Sequence, residues 1–226
     1  MTNPIQIIFV DGPTAVGKGY FMENFVKKYK EVYPDANVQV IRAVDVVLKA
    51  TAQSEERKYV TYNTPVETAT SIYQGHLTLL DKLQGLSDLL KKHDLIIVDR
   101  SFLSFLIYNW MPLKRFNHAT EALNGHGIDE YAIEYNKRLK GVSSLFVNIS
   151  LNEHDEQAKV DTLINRAVSR QDGKPIDAPW FKYLVQNYEA PCKEFTKLFT
   201  KYIVVDSGES ERILKEYFTH ALPCPV

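Results

Sequence analysis

The stretch Val10-Asp11-Gly12-Pro13-Thr14-Ala15-Val16-Gly17-Lys18-Gly19 follows an apolar run, Ile5 to Val10, and contains the spacing Gly-x-x-x-x-Gly-Lys. An apolar run of this length reads as a buried strand. Gly12 and Gly17 then let the backbone turn so that its N–H groups point inward, at the oxygens of a phosphate. Lys18 adds a point charge. Beyond it Phe21, Phe25, Val26, Tyr29 and Val32 recur at helical intervals, so the positive end of a helix faces the same anion. Taken alone, the glycines also suit a plain strand-to-helix turn, but strand, glycine loop and helix stand in the order that phosphate binding requires. The residue after the lysine, usually Ser or Thr, is Gly19. Without that hydroxyl, a magnesium ion depends on nucleotide oxygens, water and a distant carboxylate.

Composition narrows the class without naming an activity. The chain has 226 residues and no glycine-, serine- or proline-rich linker, which predicts a single domain over 1–226. Its net charge of −1 provides no basic field for nucleic acid or for a membrane surface. Two cysteines, Cys192 and Cys224, make neither a disulfide framework nor a metal cluster, and the six histidines show no ligand spacing. No secretory signal and no run of 18 apolar residues occurs, so the expected setting is the cytoplasm, or a host's cytoplasm for a phage-encoded protein.

Apolar periodicity predicts strands at 5–10, 37–42, 95–99, 145–151 and 202–205, alternating with helices at 18–32, from about 102, and near 156–168, 179–199 and 209–221. That alternation means an α/β fold of three layers, a central parallel sheet flanked by helices. In such sheets ligands lie beyond the carboxyl ends of the strands, so Asp99-Arg100-Ser101, at the end of Leu95-Ile96-Ile97-Val98, opens onto the crevice of the glycine loop. Asp99 suits a magnesium-bound water or a proton, and Arg100 suits phosphoryl oxygens. By itself the pair also reads as a helix-starting carboxylate beside a surface arginine. Arg166 and Arg170, four apart, share a helix face, and Gln171-Asp172-Gly173-Lys174-Pro175 follows as a loop, the pattern of a mobile lid over about 166–178. A solvated basic face is the plainer reading.

Asp99-Arg100-Ser101-Phe102-Leu103-Ser104-Phe105-Leu106-Ile107-Tyr108 is similar to the thymidylate kinase signature Asp-Arg-Tyr-x-x-Ser-x-x-Ala-Tyr, with Ser101 and Ile107 as substitutions. Arg166 and Arg170 fall where that family carries its lid, Phe181, Val185 and Tyr188 echo the next helix, and Tyr202 to Gly208 resembles its late strand and adenine-side loop. The resemblance implies a P-loop kinase fold and transfer of the ATP γ-phosphoryl group to a deoxynucleoside monophosphate such as dTMP, with Mg²⁺. It assigns catalytic roles to Lys18, Asp99, Arg100, Arg166 and Arg170, the metal to Asp99 through water, and the donor to Gly12, Thr14, Ala15, Val16, Gly17, Lys18, Gly19 and Tyr20. On the acceptor side stand Asp11, Arg42, Arg100, Ser104 and Tyr108, with Tyr73 to stack the base and Gln74 to pair its edge. It also implies a homodimer through helices beside the sheet, for which Phe102, Phe105 and Leu106 are candidates, though they suit ordinary core equally.

Departures from the family cluster on the acceptor side. Thr14 stands where a carboxylate meets the sugar hydroxyl, Ala43-Val44 replaces Glu-Pro after Arg42, and Thr78 replaces an arginine. The run Gly-Pro-x-x-x-Gly-Lys-Gly resembles cytidylate and adenylate kinases, but Tyr20 replaces their Thr. Other readings therefore stay open: a deoxynucleoside kinase, which commonly has Glu-Arg-Ser at Asp99-Arg100-Ser101; a nucleotide-binding regulator without catalysis; and, against the mild acidity, a kinase acting on bases in DNA.

Overall fold

The computed structural model describes residues 4–50, 66–110, 128–169, 178–189 and 193–218. Five strands form one all-parallel sheet: β1 Ile7–Asp11, β2 Val38–Arg42, β3 Leu95–Asp99, β4 Ser144–Ser150 and β5 Lys201–Asp206, in the order β2-β3-β1-β4-β5. The strand that feeds the glycine loop is thus central, with β3 on one side and β4 on the other.

The helices are α1 Lys18–Val32, α2 Ala43–Ala50, α3 Val66–Ser87, α4 Phe102–Phe105, α5 Ile128–Arg138, α6 Glu156–Ser169, α7 Ala178–Glu189, α8 Lys193–Thr196 and α9 Ser210–Tyr217, and a π-helical turn, Leu106–Trp110, continues α4. Of the helix expected over 179–199, α7 and α8 are described, and residues 190–192 lie outside the described residues.

Alternate side chains of the inner strands enter opposite cores, because successive residues of a strand face opposite sides of a sheet. Ile7, Phe9, Ile96, Val98 and Phe146 join α3, α4 and α5 on one face. Ile8, Val10, Leu95, Ile97, Leu145, Val147 and Ile149 join α1, α6 and α9 on the other. Every residue of β1 is buried, whereas edge strand β2 is largely exposed. Helix α7 serves both sides, sending Leu184 and Tyr188 to the first core and Phe181 and Val185 to the second.

Phe102, Phe105 and Leu106 are interior, each at most 3% exposed. They fill this chain's own core, the second of the two places open to them in the sequence. Among the described residues, no helix is long and apolar enough to cross a membrane.

Candidate active site

The carboxyl ends of β1 and β3 lead into the glycine loop and into Asp99-Arg100. β1 ends at Asp11 and passes into a loop whose turns need unusual backbone: Gly12 has φ 140°, Ala15 67° and Gly17 111°. A Cβ on Gly12 would lie 2.5 Å from the Ile149 carbonyl oxygen, and one on Gly17 would lie 2.8 Å from the Ser207 Cβ. Both positions therefore exclude a side chain on space as well as on conformation. Gly17 precedes α1 in left-handed conformation and makes no side-chain cap, so the first N–H groups of α1 turn toward the loop.

Lys18 is nearly buried and curls back over the loop, its Nζ donating to the Gly12 and Pro13 carbonyl oxygens at 2.8 Å each. Its charge is held at the loop's centre. Arg166, on the last turns of α6, reaches the same loop from above and donates from Nη1 to the Val16 carbonyl oxygen at 3.1 Å. Gly19 and Tyr20 face outward, and nothing lies within 4 Å of a Cβ built on Gly19. The absent hydroxyl thus reflects the residue and not a lack of room.

One strand away, Arg42 lies opposite Asp99 in the parallel register, and Asp99 leads into Arg100. Asp99 Oδ1 is buried, with no hydrogen-bond partner among the described residues. Burial pushes its carboxyl above the usual range, although Lys18 and Arg100 pull the other way. A buried, unpartnered carboxylate oxygen between cations fits a hydrated magnesium ion, reached through water. Among the described residues, no three carboxylate, histidine or cysteine side chains gather into a metal-binding set.

Arg100 adopts φ 75°, a left-handed conformation uncommon for a side-chain-bearing residue. Its backbone N–H donates to the Val10 carbonyl oxygen at 2.9 Å, Nη1 donates to Ser104 Oγ at 3.2 Å, and the guanidinium lies 5.1 Å from the centre of the Tyr108 ring. Burial works against its charge, but the phenols of Tyr108 and Tyr188 and the Asp11 carboxylate outweigh that, so its pKa is raised.

Asp11 joins the two halves. It is fully buried, and its carboxylate accepts from Gly12 N, Ser104 Oγ, Ser101 N and Ser101 Oγ at 2.6 to 2.9 Å. Four bonds use the lone-pair sites of a carboxylate, which leaves none for a ligand. Asp11, expected on the acceptor side, is instead an internal brace between the glycine loop and the start of α4. Ser104 gives its only proton to Asp11 and accepts from Arg100, so Tyr188 Oη, 3.0 Å away, donates to it. Ser101 Oγ, besides meeting Asp11, accepts from Leu103 N and caps α4.

The remaining candidates divide. Thr14 Oγ1 and Tyr108 Oη are hydrogen-bonded at 2.7 Å, which brings the loop's tip to the acceptor side. Tyr73 is 4% exposed and sits edge-on to Phe102, a core aromatic with no face for a base, while neighbouring Gln74 points to solvent. The pair expected to read a base is therefore split between core and surface. Arg170, and with it residues 170–177 of the expected lid, lies outside the described residues. Sequence reasoning missed Asp11 as a brace, Tyr188, and Ser207 against Gly17; only the short polar spacing of Ser101 and Ser104 hinted at the first.

No protein-family model matches this chain, and no curated protein does. Among solved structures it is similar to the tunicamycin resistance protein of Deinococcus radiodurans, at 14% sequence identity over 98% of this chain and 99% of that one, with a TM-score of 0.48.

Proposed function

We propose that this chain is an ATP-dependent phosphotransferase whose acceptor is a small phosphate-bearing molecule, a deoxynucleoside monophosphate such as dTMP or a related pyrimidine nucleotide. The observation that carries the reading is Lys18, bonded across the Gly12 and Pro13 carbonyls at the head of α1, one strand from the Asp99-Arg100 pair.

Phosphoryl transfer asks a protein mainly to position and neutralise charge spread over oxygens. An acceptor oxygen bonds to the γ-phosphorus as the bridging oxygen to the β-phosphorus leaves with ADP. Lys18 and the N–H groups of the loop hold the donor's phosphates. Arg100, with Arg42 beside it on β2, meets the acceptor's phosphate, and Arg166 and Arg170 cover the transferring group. Mg²⁺, when bound, supplies counter-charge to the donor phosphates, and Asp99 would hold it through water.

Asp99 also favours a second reading. A monophosphate is already ionised and needs no base, but a hydroxyl acceptor must lose its proton, and a carboxyl raised by burial is suited to take one. That describes a deoxynucleoside kinase. A coupled ADP-release assay with ATP and Mg²⁺, run over deoxynucleosides, their monophosphates and 5-substituted pyrimidines, separates the two. Turnover is expected with a monophosphate; turnover with nucleosides alone would replace the first reading by the second. ATP binding without turnover across the panel would make the chain a nucleotide-binding regulator.

A further inference from the structure

Between the loop and Arg100 runs a closed polar circuit. From Gly12 N it passes to Asp11, then to Ser104 Oγ, then to the Arg100 guanidinium. From Arg100 it crosses to the Tyr108 ring, and from Tyr108 Oη it returns to the loop at Thr14 Oγ1. The first half is rigid, because Asp11 is fully buried and saturated. The second half depends on Tyr108.

Tyr108 sits in the π-helical turn Leu106–Trp110, where the i to i+5 bonding shifts the phase of the residues that follow α4. Such turns recur at functional sites. Its ring is fixed at the edges by Trp180, with centroids 5.4 Å apart, and by Tyr188 at 6.3 Å, both from α7. A ring so held presents one face to a guanidinium and its hydroxyl to the loop. Arginine over an aromatic face is attracted by the ring's quadrupole, the more so when water is excluded.

We propose that Tyr108 is a positioning residue that ties Arg100 to the glycine loop through Thr14, so that the acceptor's arginine and the donor's phosphate loop hold one alignment. Its functional meaning rests on the phosphotransferase reading; the tie itself does not. Tyr108 acts through Arg100, whose guanidinium lies over its ring. Thr14 is one end of the tie, which gives its hydroxyl a use that an apolar residue would not fill.

The experiment uses full-length protein labelled with ¹⁵N at arginine, in which the Arg100 Nε–H signal is assigned by its loss in Arg100→Lys. Rotation about the Arg100 Nε–Cζ bond is measured in wild type, Thr14→Val, Thr14→Ser, Tyr108→Phe and the Thr14→Val/Tyr108→Phe double variant. Thr14→Val and Tyr108→Phe should each speed rotation several-fold, Thr14→Ser should leave it at the wild-type rate, and the double variant should be no faster than either single one. With the active acceptor, kcat should fall in both single variants while KM for ATP holds. Should Tyr108→Phe fail to fold, the Thr14 pair carries the comparison. Unchanged Arg100 rotation in Thr14→Val, or additive effects in the double variant, would overturn the tie. Wild-type protein that shows the expected spectra but no turnover on any acceptor would leave the tie standing and remove the kinase reading.

Discussion

Lys18 and Arg100 are fixed before any ligand arrives, one by two carbonyls and the other by a serine, a phenyl face and its own strained backbone. Preorganised charge of this kind is worth about 3 kcal/mol at a transition state. Lys18→Ala and Arg100→Ala should each lower kcat/KM by about two orders of magnitude in the ADP-release assay, with little change in thermal midpoint. Near-native turnover of Lys18→Ala would remove the phosphate-loop assignment. Asp99 behaves differently. Its folded pKa lies above that of the unfolded chain, so its contribution to stability is present at low pH and is lost as pH rises through the folded value. Asp99→Asn escapes that loss. Its thermal midpoint relative to wild type should be highest near neutrality and the gap should close below about pH 4, while activity falls. A pH-independent gap would contradict the burial of an ionised carboxylate.

At the scale of elements, the glycine loop and α1 make opposite demands at neighbouring positions. Gly17 tolerates no side chain, by its φ of 111° and by the 2.8 Å approach to Ser207. Gly19, two residues on, has open space and lies in the first turn of α1. Gly19→Ala should therefore raise stability by roughly 0.5–1 kcal/mol, through the lower entropy of the unfolded chain. Gly17→Ala should lower it and abolish ATP binding, as read by calorimetry. Gly19→Ser tests the metal: a restored hydroxyl should lower the Mg²⁺ concentration needed for half-maximal rate. This contrast was only half legible. The spacing Gly-x-x-x-x-Gly-Lys announced the loop, but the neighbour that crowds Gly17 comes from residue 207, and no local pattern connects them. Asp11 shows the same limit. The resemblance put it on the acceptor side, whereas its partners Ser101 and Ser104 lie 90 and 93 residues away and meet it only because β1 and β3 pair in parallel.

Across the whole molecule, the strands were readable because β1, β3 and β4 are apolar on both faces, as a covered parallel sheet demands. The edge strands were read as closely, within a residue at each end, although exposure at β2 mixes polar residues into the run. The first core holds one residue that composition would not place there. His76, on α3, is enclosed by Phe102, Phe105 and Tyr131, with Nδ1 unpartnered among the described residues. Burial pushes its pKa down to about 3. A depressed folded value means stability that is complete above the unfolded pKa of about 6.5 and is lost as pH falls toward the folded one. His76→Leu should flatten that decline, seen as a smaller fall in denaturation midpoint between neutral and mildly acidic buffer. An equal fall in both proteins would show that other groups govern acid sensitivity.

The approach of Ser207 to Gly17 also has a consequence in time. Ribosomal synthesis delivers the loop well before the wall against Gly17, which belongs to the turn after β5. A nascent chain that stops short of β5 carries the loop's glycines and its lysine, yet lacks one side of the cradle. On the proposed function, nucleotide affinity should consequently arrive only once β5 and this turn are in place, as a single late event in biogenesis.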